Sequence, residues 1–506
     1  MDLARLIDRH AEFRGRHTAI QFENEIITYA ELARRIGQTA AALHDGLKVK
    51  RGDRVAFLGV NDPELLVLLF ACARLGAIFV PLNFRLAPPE HRYVVHDCDA
   101  RVLIAQDQFH PHCEQFRADL PGTRFVSLGG EAPAGWDRWG SLVASANPGC
   151  DAYGRADDPL LVVYTSGTTG FPKGAVLNQD SLRWNAFNSW HMHDMTGEDH
   201  VLTNLPMFHV GGLNIQTTPA LLAGATVTLH ARFDAERWLV DVARRRPTLS
   251  LMVPATMKAV IEHPEFVRTD LSSLRFLQSG SSLVPEHLTR AFHARGIAVG
   301  QVYGSSETCP IASYTRREQA LAKVGSAGLA ALHGELRVVK GNGREAAPGE
   351  VGEVQVRGPQ VMREYWNRPD ATREAMVDGW FRSGDLGSRD ADGFLRIVGR
   401  AKDVIISGGE NIYPAELELV IAAVPGVAEV AVAGVADPQW GEIPVAFVLR
   451  DRGSDCDAGR ILAALEGRVA RFKLPRRVLF VEDLPRNVMG KVQKFALSKM
   501  LEESQT

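Results

Sequence analysis

The stretch of sequence that decides the fold is Tyr164-Thr165-Ser166-Gly167-Thr168-Thr169-Gly170-Phe171-Pro172-Lys173-Gly174. It follows residues 160–164, an apolar run typical of a buried strand. Its three glycines allow unusual backbone angles and let an anion approach the main-chain amides. Four hydroxyl groups and Lys173 add further donors and a positive charge. Because the Walker spacing G-x-x-x-x-G-K-S/T is absent, the stretch predicts a polyphosphate-binding loop of another kind.

The regions on both sides of this loop alternate between short apolar strands and helical patterns. Before the loop, helical patterns cover residues 29–41 and 63–75, and strand-like runs cover residues 54–58, 77–81 and 102–104. After the loop, the strand-like runs are residues 201–205, 225–229, 249–253, 276–279 and 298–303. This alternation predicts βαβ units and a largely parallel sheet.

The chain is long enough for more than one domain, because its 506 residues exceed the size at which a single core stops growing. Residues 325–358 change to short runs between glycines and prolines, which predict a small antiparallel sheet or barrel. We therefore predict an α/β fold in which residues 1–399 form a large N-terminal domain of layered α/β sheets with a small barrel-like part. Residues 403–506 are predicted to form a small α+β C-terminal domain, and residues 400–402 a hinge.

The composition argues against several other classes of protein. Hydrophobic residues make up 45% and charged residues 23% of the chain, and the formal net charge of −3 gives no sign of a nucleic-acid partner. The longest apolar run, residues 65–73, is shorter than the roughly 20 residues of an integral membrane segment. Six scattered cysteines without metal or dithiol spacing predict reduced thiols and a cytoplasmic location. The oligomeric state stays open, a homodimer included.

Four further motifs each combine a turn-forming segment with a candidate functional side chain. They are Pro206-Met207-Phe208-His209-Val210-Gly211-Gly212, Gln301-Val302-Tyr303-Gly304-Ser305-Ser306-Glu307-Thr308, Gly379-Trp380-Phe381-Arg382-Ser383-Gly384-Asp385-Leu386 and Pro485-Arg486-Asn487-Val488-Met489-Gly490-Lys491. Considered alone, a histidine such as His209 more often packs in a core or caps a helix. A lysine such as Lys491 in a glycine-containing loop is more often solvated. Glu307 and Asp385 have comparable structural explanations as turn residues.

Together and in this order, the loop and these motifs resemble the adenylate-forming superfamily of acyl-CoA synthetases, peptide-synthetase adenylation domains and luciferases. The resemblance covers nearly the whole chain. It implies that the loop closes over the β- and γ-phosphates of ATP. The residues that the resemblance assigns to these phosphates are Thr165, Ser166, Gly167, Thr168, Thr169, Gly170 and Lys173.

The resemblance also implies where the rest of the nucleotide lies. Tyr303 would offer a flat face to adenine, together with Gly304, Ser305 and Ser306, and Ser306 stands where the family more often has threonine. Gly280 and Ser281 would belong to the adenine wall, but the chain departs from the family there, since Gly280-Ser281-Ser282 stands in place of a Gly-Ala-Pro-like string. The resemblance assigns Mg²⁺ to Glu307 and Thr168, and a hydroxyl-rich ribose to Asp385 and Arg400.

The remaining implied roles concern the acyl group and the motion between the half-reactions. His209 resembles the gating histidine at the mouth of the acyl pocket, and Lys402 occupies the hinge position. Lys491 resembles the catalytic lysine of the first half-reaction. The turn Ser407-Gly408-Gly409 would enter the site and line the pantetheine tunnel after the C-terminal domain turns as a rigid body.

These assignments predict an ATP-dependent ligase that joins a small carboxylic acid to coenzyme A through an acyl-AMP intermediate. Such chemistry needs positive charge and alignment rather than an enzyme nucleophile, and Lys173, Lys491 and Mg²⁺ would supply that charge. Residues 210–217 and 276–283 contain no charged residue. We therefore predict an uncharged acyl tail, from a medium-chain fatty acid or from an aromatic or alicyclic acid.

Four alternatives remain. An adenylation enzyme could load a carrier-protein thiol, although no carrier domain follows Thr506, which favours free CoA. A malonate-type CoA ligase is suggested by residues 487–491. A luciferase-like oxygenase and a catalytically inactive nucleotide-binding protein complete the set.

Overall fold

The computed structural model describes residues 2–147, 154–165, 172–280, 284–408, 410–486 and 492–503. The α-helices in these parts of the chain are α1 (Ala4–Arg14), α2 (Tyr29–Ala41), α3 (Pro63–Leu75), α4 (Pro88–Asp97), α5 (His110–Glu114), α6 (Trp139–Ser145), α7 (Gln179–His193), α8 (Val210–Gly212), α9 (Thr218–Ala223), α10 (Ala235–Arg245), α11 (Pro254–Ile261), α12 (Glu286–His293), α13 (Pro369–Ala375), α14 (Pro414–Ile421), α15 (Ala458–Leu465) and α16 (Lys494–Glu503).

The strands are β1 (Thr18–Phe22), β2 (Glu25–Thr28), β3 (Arg54–Leu58), β4 (Ile78–Leu82), β5 (Ala100–Ala105), β6 (Arg124–Ser127), β7 (Asp137–Arg138), β8 (Pro159–Thr165), β9 (Lys173–Asn178), β10 (His200–Thr203), β11 (Thr226–Leu229), β12 (Leu249–Met252), β13 (Phe276–Gly280), β14 (Val299–Tyr303), β15 (Ser313–Tyr314), β16 (Leu329–Ala330), β17 (Glu335–Val339), β18 (Gly352–Arg357), β19 (Glu364–Tyr365), β20 (Met376–Val377), β21 (Trp380–Arg389), β22 (Leu395–Arg400), β23 (Ile405–Ser407), β24 (Glu410–Ile412), β25 (Val427–Asp437), β26 (Gly441–Arg450) and β27 (Arg477–Phe480).

Helix α3 shows how local signals in the sequence build the core. Asp62 caps its first turn by accepting a hydrogen bond from the backbone N–H of Glu64, and Pro63 follows in the first helical position. Gly76 ends the helix in the left-handed conformation, with φ at 66°. Apolar side chains around the whole circumference are buried between these two signals. The predicted buried helix is therefore confirmed.

The first sheet carries the predicted phosphate loop at one of its hairpins. Its eight strands run in the order β19-β9-β8-β4-β3-β5-β6-β7. The central pairs β3–β4 and β3–β5 are parallel, as predicted, whereas β8 and β9 pair antiparallel. Thr165 at the end of β8 lies opposite Lys173 at the start of β9. The loop thus connects two neighbouring antiparallel strands, and β19 lies beyond them at the edge of the sheet.

The second sheet brings two other predicted motifs to the ends of neighbouring strands. Its nine strands run in the order β16-β15-β14-β13-β12-β10-β11-β1-β2. Strands β13 and β14 are parallel, so Gly280 and Tyr303 end at the same edge. Strand β1 joins this sheet by pairing with β11, far along the chain, rather than joining the first sheet. The alternation predicted in the sequence is therefore divided between two sheets.

A third sheet is small and antiparallel, in agreement with the change of pattern seen in the sequence. Its strands run in the order β17-β18-β21-β20, and β22 pairs with β21. Asp385 in β21 lies opposite Arg400 in β22. This pairing brings the two predicted ribose-site residues together at the end of the sheet.

The C-terminal part has its own sheet, in the order β24-β23-β26-β25 with β27 beside β26. It also has its own core, which includes Ile412, Leu417 and Val432. Lys258 of α11 reaches this part, since its Nζ lies 3.4 Å from the carbonyl oxygen of Ala428. The domain limits at residues 399 and 403 remain a prediction. No helix in the described parts of the chain combines the length and hydropathy that a membrane crossing requires.

Candidate active site

The entrance and exit of the predicted phosphate loop lie side by side. The hydroxyl of Thr165 donates to the carbonyl oxygen of Lys173 at 3.4 Å across the β8–β9 hairpin. Lys173 therefore stands at the rim of the loop. Several of the predicted site residues lie outside the described residues, and these are Ser166, Gly167, Thr168, Thr169, Gly170, Ser281, Gly409 and Lys491.

The predicted ribose residues form one hydrogen-bonded group. The hydroxyl of Tyr303 donates to Oδ2 of Asp385 at 2.8 Å, and Nε of Arg400 lies 3.0 Å from Oδ1 of the same carboxylate. Burial, followed by the charge of Asp385, raises the pKa of Tyr303 well above its ordinary value, so the phenol remains a donor. Each carboxylate oxygen has two acceptor positions. Asp385 can therefore hold these two donors and still accept from ribose hydroxyls.

A second group surrounds the predicted metal ligand. The hydroxyl of Tyr365 donates to Oε1 of Glu307 at 2.8 Å. The Nζ of Lys173 lies 5.5 Å from the centre of the Tyr365 ring, within the range of a cation–π contact. Burial, and then the charge of Glu307, raises the pKa of Tyr365. The arrangement brings a carboxylate and a cation from separate motifs to one tyrosine.

The segment between these two groups is tightly packed and presents an unused donor. A Cβ on Gly304 would lie 1.6 Å from the carbonyl oxygen of Pro310, so only glycine fits there. The neighbouring Ser305 has a buried hydroxyl without a hydrogen-bond partner among the described residues. Ser306 beside it is buried. Such a hydroxyl is suited to bind a ligand oxygen.

The predicted gating histidine has a structural role that the structure makes visible. Nδ1 of His209 accepts a hydrogen bond from the backbone N–H of Gly211 at 3.2 Å and caps helix α8. A Cβ on Gly212 would lie 2.3 Å from the carbonyl oxygen of Pro206. The absence of a side chain at Gly212 thus allows this close backbone packing.

The described residues of the C-terminal motifs lie in a 3₁₀ turn and around the end of a strand. Lys402 is exposed in the short 3₁₀ turn Ala401–Asp403, and Ser407 ends β23. Gly408 follows with φ at 59°, and its backbone N–H donates to the carbonyl oxygen of Trp440 at 2.8 Å. A Cβ at this glycine would lie 2.8 Å from the Trp440 ring. The turn therefore requires glycine for two independent reasons.

Two arginines next to the His209 motif form a cationic surface that sequence reasoning missed. The guanidinium of Arg85 lies 5.4 Å from the ring centre of Phe84 and 5.8 Å from that of Phe208, and the guanidinium of Arg232 lies 4.8 Å from Phe84. Partial desolvation and then the neighbouring Arg232 lower the pKa of Arg85. Neither arginine has a carboxylate partner among the described side chains. We call Arg85 and Arg232 the arginine pair.

Tyr365 was also missed, and the sequence contains little that would have revealed it. The residue stands between Glu364 and Trp366, without a glycine turn or a repeated spacing. Its contact with Glu307 spans 58 positions of the chain. An exposed polar residue near an apolar strand would give the same local pattern, so the contact depends on the tertiary fold.

Comparison with known proteins identifies the family. The sequence model of the AMP-binding enzyme family matches residues 7–366, and that of the AMP-binding enzyme C-terminal domain matches residues 416–491. The chain is 48% identical to an indoleacetate–CoA ligase of Aromatoleum aromaticum, over 98% of this chain and 97% of that protein.

Two solved structures of related proteins have the same fold as this chain. The ATP-bound structure of MatB from Rhodopseudomonas palustris superimposes with a TM-score of 0.91 at 33% identity, covering 100% of both chains. The anthranilate CoA ligase AuaEII in complex with anthranoyl-AMP superimposes with a TM-score of 0.93 at 27% identity, over 100% of this chain and 98% of that one. The protein belongs to the AMP-binding enzyme family, and it has the α/β fold of the family's CoA ligases.

Proposed function

We propose that this protein is an ATP-dependent acid–CoA ligase that works in two half-reactions. First, a carboxylate oxygen of the acid attacks the α-phosphorus of ATP, and pyrophosphate leaves with the electrons of the broken P–O bond. Second, the sulfur of CoA attacks the carbonyl carbon of the acyl-AMP, AMP leaves, and the thiol proton passes to solvent. The observation that carries the proposal is the meeting of Asp385, Tyr303 and Arg400 in one hydrogen-bonded group.

The first half-reaction brings two anions together, so the site must supply positive charge. Lys173 supplies positive charge at the rim of the loop, and we assign the same task to Lys491. Asp385 and Tyr303 would hold the ribose and adenosine end in place, which aligns the α-phosphorus with the acid. The buried hydroxyl of Ser305 would donate to a phosphate oxygen.

Magnesium would be held by Glu307, with Thr168 as the second predicted ligand. The described residues contain no group of three or more side chains that could hold a metal by themselves. This donor set fits Mg²⁺, because that ion usually takes one or two protein ligands and completes its shell with phosphates and water. When bound, Mg²⁺ would neutralise part of the charge on the leaving pyrophosphate.

The arginine pair supports CoA as the thiol. The nucleotide end of CoA carries several phosphate charges, and two guanidiniums without carboxylate partners are suited to bind them. Arg85 of the pair lies against Phe208, next to the predicted acyl entrance at His209. A carrier protein presents its thiol on the same pantetheine arm but without the nucleotide, so it would gain less from these charges.

A paired substitution tests the choice of thiol. The double variant Arg85→Ala, Arg232→Ala should raise the KM for CoA about tenfold, from the loss of charge-assisted hydrogen bonds. The KM for pantetheine, which has no nucleotide, and pyrophosphate release without thiol should stay unchanged. Arg9→Ala is the matched control, because Arg9 is exposed but paired with Glu12. An equal rise in the KM for CoA and for pantetheine would show that the arginine pair does not bind the nucleotide end of CoA.

We propose an aromatic acid with an uncharged side group as the substrate, with a medium-chain fatty acid as the second choice. The described part of the predicted acyl pocket, residues 210–217 and 276–280, has no charged side chain to pair with a second carboxylate. The similarity to an indoleacetate–CoA ligase supports an arylacetic acid. A malonate-type ligase, the alternative suggested by the sequence of residues 487–491, would need a basic partner in this pocket.

The experiment that tests the function is pyrophosphate release from ATP and Mg²⁺ with a panel of acids, each with and without CoA. Indole-3-acetate, benzoate, octanoate, succinylbenzoate and malonate represent the competing classes. The proposal expects pyrophosphate and AMP with arylacetic acids and a CoA thioester when CoA is present. Formation of AMP from no member of a broad panel would overturn it. Activity with malonate and with no other acid would show that the protein is a malonate-type CoA ligase.

A further inference from the structure

Residues 362–368, which we call the bridge segment, connect two parts of the nucleotide site. The backbone N–H of Met362 donates to the carbonyl oxygen of Glu307 at 2.7 Å. Strand β19 within the segment pairs with β9, the strand that begins at Lys173. The backbone N–H of Trp366 donates to the carbonyl oxygen of Gly174 at 2.7 Å. The bridge segment therefore fixes the backbones of Glu307 and Lys173 relative to each other.

The other end of the bridge segment is anchored beside the phosphate loop. Arg368 donates to Oδ1 of Asp97 at 2.6 Å and to the hydroxyl of Tyr93 at 3.0 Å. Asp97 also accepts from the hydroxyl of Tyr164 at 2.7 Å, and Tyr93 donates to the carbonyl oxygen of Pro172 at 3.2 Å. Tyr164 and Pro172 stand on either side of the loop. The anchor thus holds both ends of the hairpin connection.

Tyr365 lies in the middle of this segment, between two opposite charges. Its hydroxyl binds Glu307 and its ring faces Lys173. Among the described residues, neither Glu307 nor Lys173 forms an ion pair, with each other or with a third side chain. A carboxylate and an ammonium group this close to a shared neighbour would ordinarily gain by pairing directly. The phenol contacts both of these groups.

We propose that Tyr365 is a positioning residue with two separable tasks in the first half-reaction. Its ring is a spacer that keeps Lys173 from pairing with Glu307, so the ammonium group remains available for phosphate. Its hydroxyl orients the carboxylate of Glu307 and leaves the other carboxylate oxygen for Mg²⁺. The inference rests on the proposed nucleotide site, but its test does not require turnover.

The two tasks predict different results for two substitutions. Tyr365→Phe keeps the spacer and removes the hydroxyl. Isothermal titration calorimetry should then show unchanged ATP binding without Mg²⁺, whereas the Mg²⁺ concentration needed for half-maximal enhancement of ATP binding should rise about tenfold. Tyr365→Ala removes both, so ATP binding should weaken about tenfold even without Mg²⁺, because Lys173 can then pair with Glu307.

A matched control separates positioning from loss of a buried hydroxyl. Tyr29 is buried, and its hydroxyl donates to the carbonyl oxygens of Leu221 and Ala225 away from the predicted site. Tyr29→Phe should lower the melting temperature without changing either titration. Unchanged Mg²⁺ dependence in Tyr365→Phe would overturn the role of the hydroxyl, and unchanged Mg²⁺-free binding in Tyr365→Ala would overturn the spacer. If wild type binds ATP normally but no acid yields AMP, the proposed function fails, whereas the roles of Tyr365 in ATP and Mg²⁺ binding are still decided by these titrations.

Discussion

The nucleotide side and the acyl side of the site are built in different ways. On the nucleotide side, charged groups meet specific partners, as Asp385 meets Tyr303 and Arg400. On the acyl side, buried neutral amides keep unused acceptors. The carbonyl oxygens of the side chains of Asn214, Gln216 and Gln278 have no hydrogen-bond partner among the described residues.

This difference has a physical consequence for specificity. A charged group in a buried site must have its geometry fixed, because an unpaired charge there is very costly. A neutral amide with one free acceptor costs only about 1–3 kcal/mol and can be satisfied by water or by a substrate donor. The nucleotide chemistry should therefore tolerate few substitutions, whereas the acyl side should tolerate many and change its preference among acids.

The largest effect should come from a lysine on the nucleotide side. Lys491→Ala should slow adenylate formation several hundredfold, since one well-placed donor to developing charge contributes roughly 3–4 kcal/mol. Thioester formation from supplied acyl-AMP should persist, which stopped-flow measurement of each half-reaction would show. Lys494→Ala is the control, because Lys494 instead pairs with Glu418 at 2.6 Å. Equal loss of both half-reactions would contradict the assigned role.

A buried carboxylate away from the site tests whether the cost of charge burial is general. Glu64 accepts from Nε1 of Trp139 at 2.8 Å, and burial raises its pKa to about 7. A raised folded pKa means that its contribution to stability is complete below its unfolded pKa and is lost as the pH rises through 7. Glu64→Gln should therefore reduce the loss of unfolding free energy between pH 5 and pH 8 by about 3 kcal/mol.

Chemical denaturation at both pH values measures this difference. Glu31→Gln is a useful control, because Arg34 and Arg35 lower the pKa of Glu31 to about 2. The pH dependence of stability due to Glu31 thus has the opposite sign. Its contribution to the unfolding free energy is present above its unfolded pKa and disappears only as the pH falls towards 2. It should not change the slope between pH 5 and pH 8. The same slope in Glu64→Gln and wild type would show that Glu64 does not titrate in this range.

The ribose carboxylate should give the next largest effect. Asp385→Ala leaves Tyr303 and Arg400 without their shared acceptor and should weaken ATP binding by about 2 kcal/mol, roughly thirtyfold. Calorimetry with ATP and 2′,3′-dideoxy-ATP provides the decisive comparison. Wild type should prefer ATP, and the variant should bind both nucleotides alike. If the variant still prefers ATP, the ribose hydroxyls do not bind Asp385.

The same contrast explains which features could be predicted from the sequence. Strand and helix positions follow from the burial pattern of nearby residues, so helices such as α2 and α3 were predicted within the bounds observed. The partners of each strand do not follow from that pattern, and the pairing of β1 with β11 was not foreseen. Tyr365 was missed for the same reason, because its contact with Glu307 joins positions 58 residues apart.

The smallest effect should come from a substitution on the acyl side, and it tests most directly whether the two sides of the site act independently. Gln278 is fully buried, and its Nε2 donates to the carbonyl oxygen of Thr315 at 3.1 Å while its Oε1 is unused in the described structure. Gln278→Met should lower kcat/KM for indole-3-acetate about fivefold relative to 1-methylindole-3-acetate, which lacks the N–H donor, a change of about 1 kcal/mol. The KM for ATP should stay the same.

A second buried glutamine provides the matched control for this last comparison. Gln360 also has an unused Oε1 among the described residues, and its Nε2 donates to the carbonyl oxygen of Ile311, but it lies outside residues 210–217 and 276–280. Gln360→Met should therefore leave the ratio of the two acids unchanged. If both variants shift the ratio equally, the effect comes from general loosening of the fold. A shift confined to Gln278→Met, with ATP binding intact, would show that acid preference changes independently of the nucleotide side.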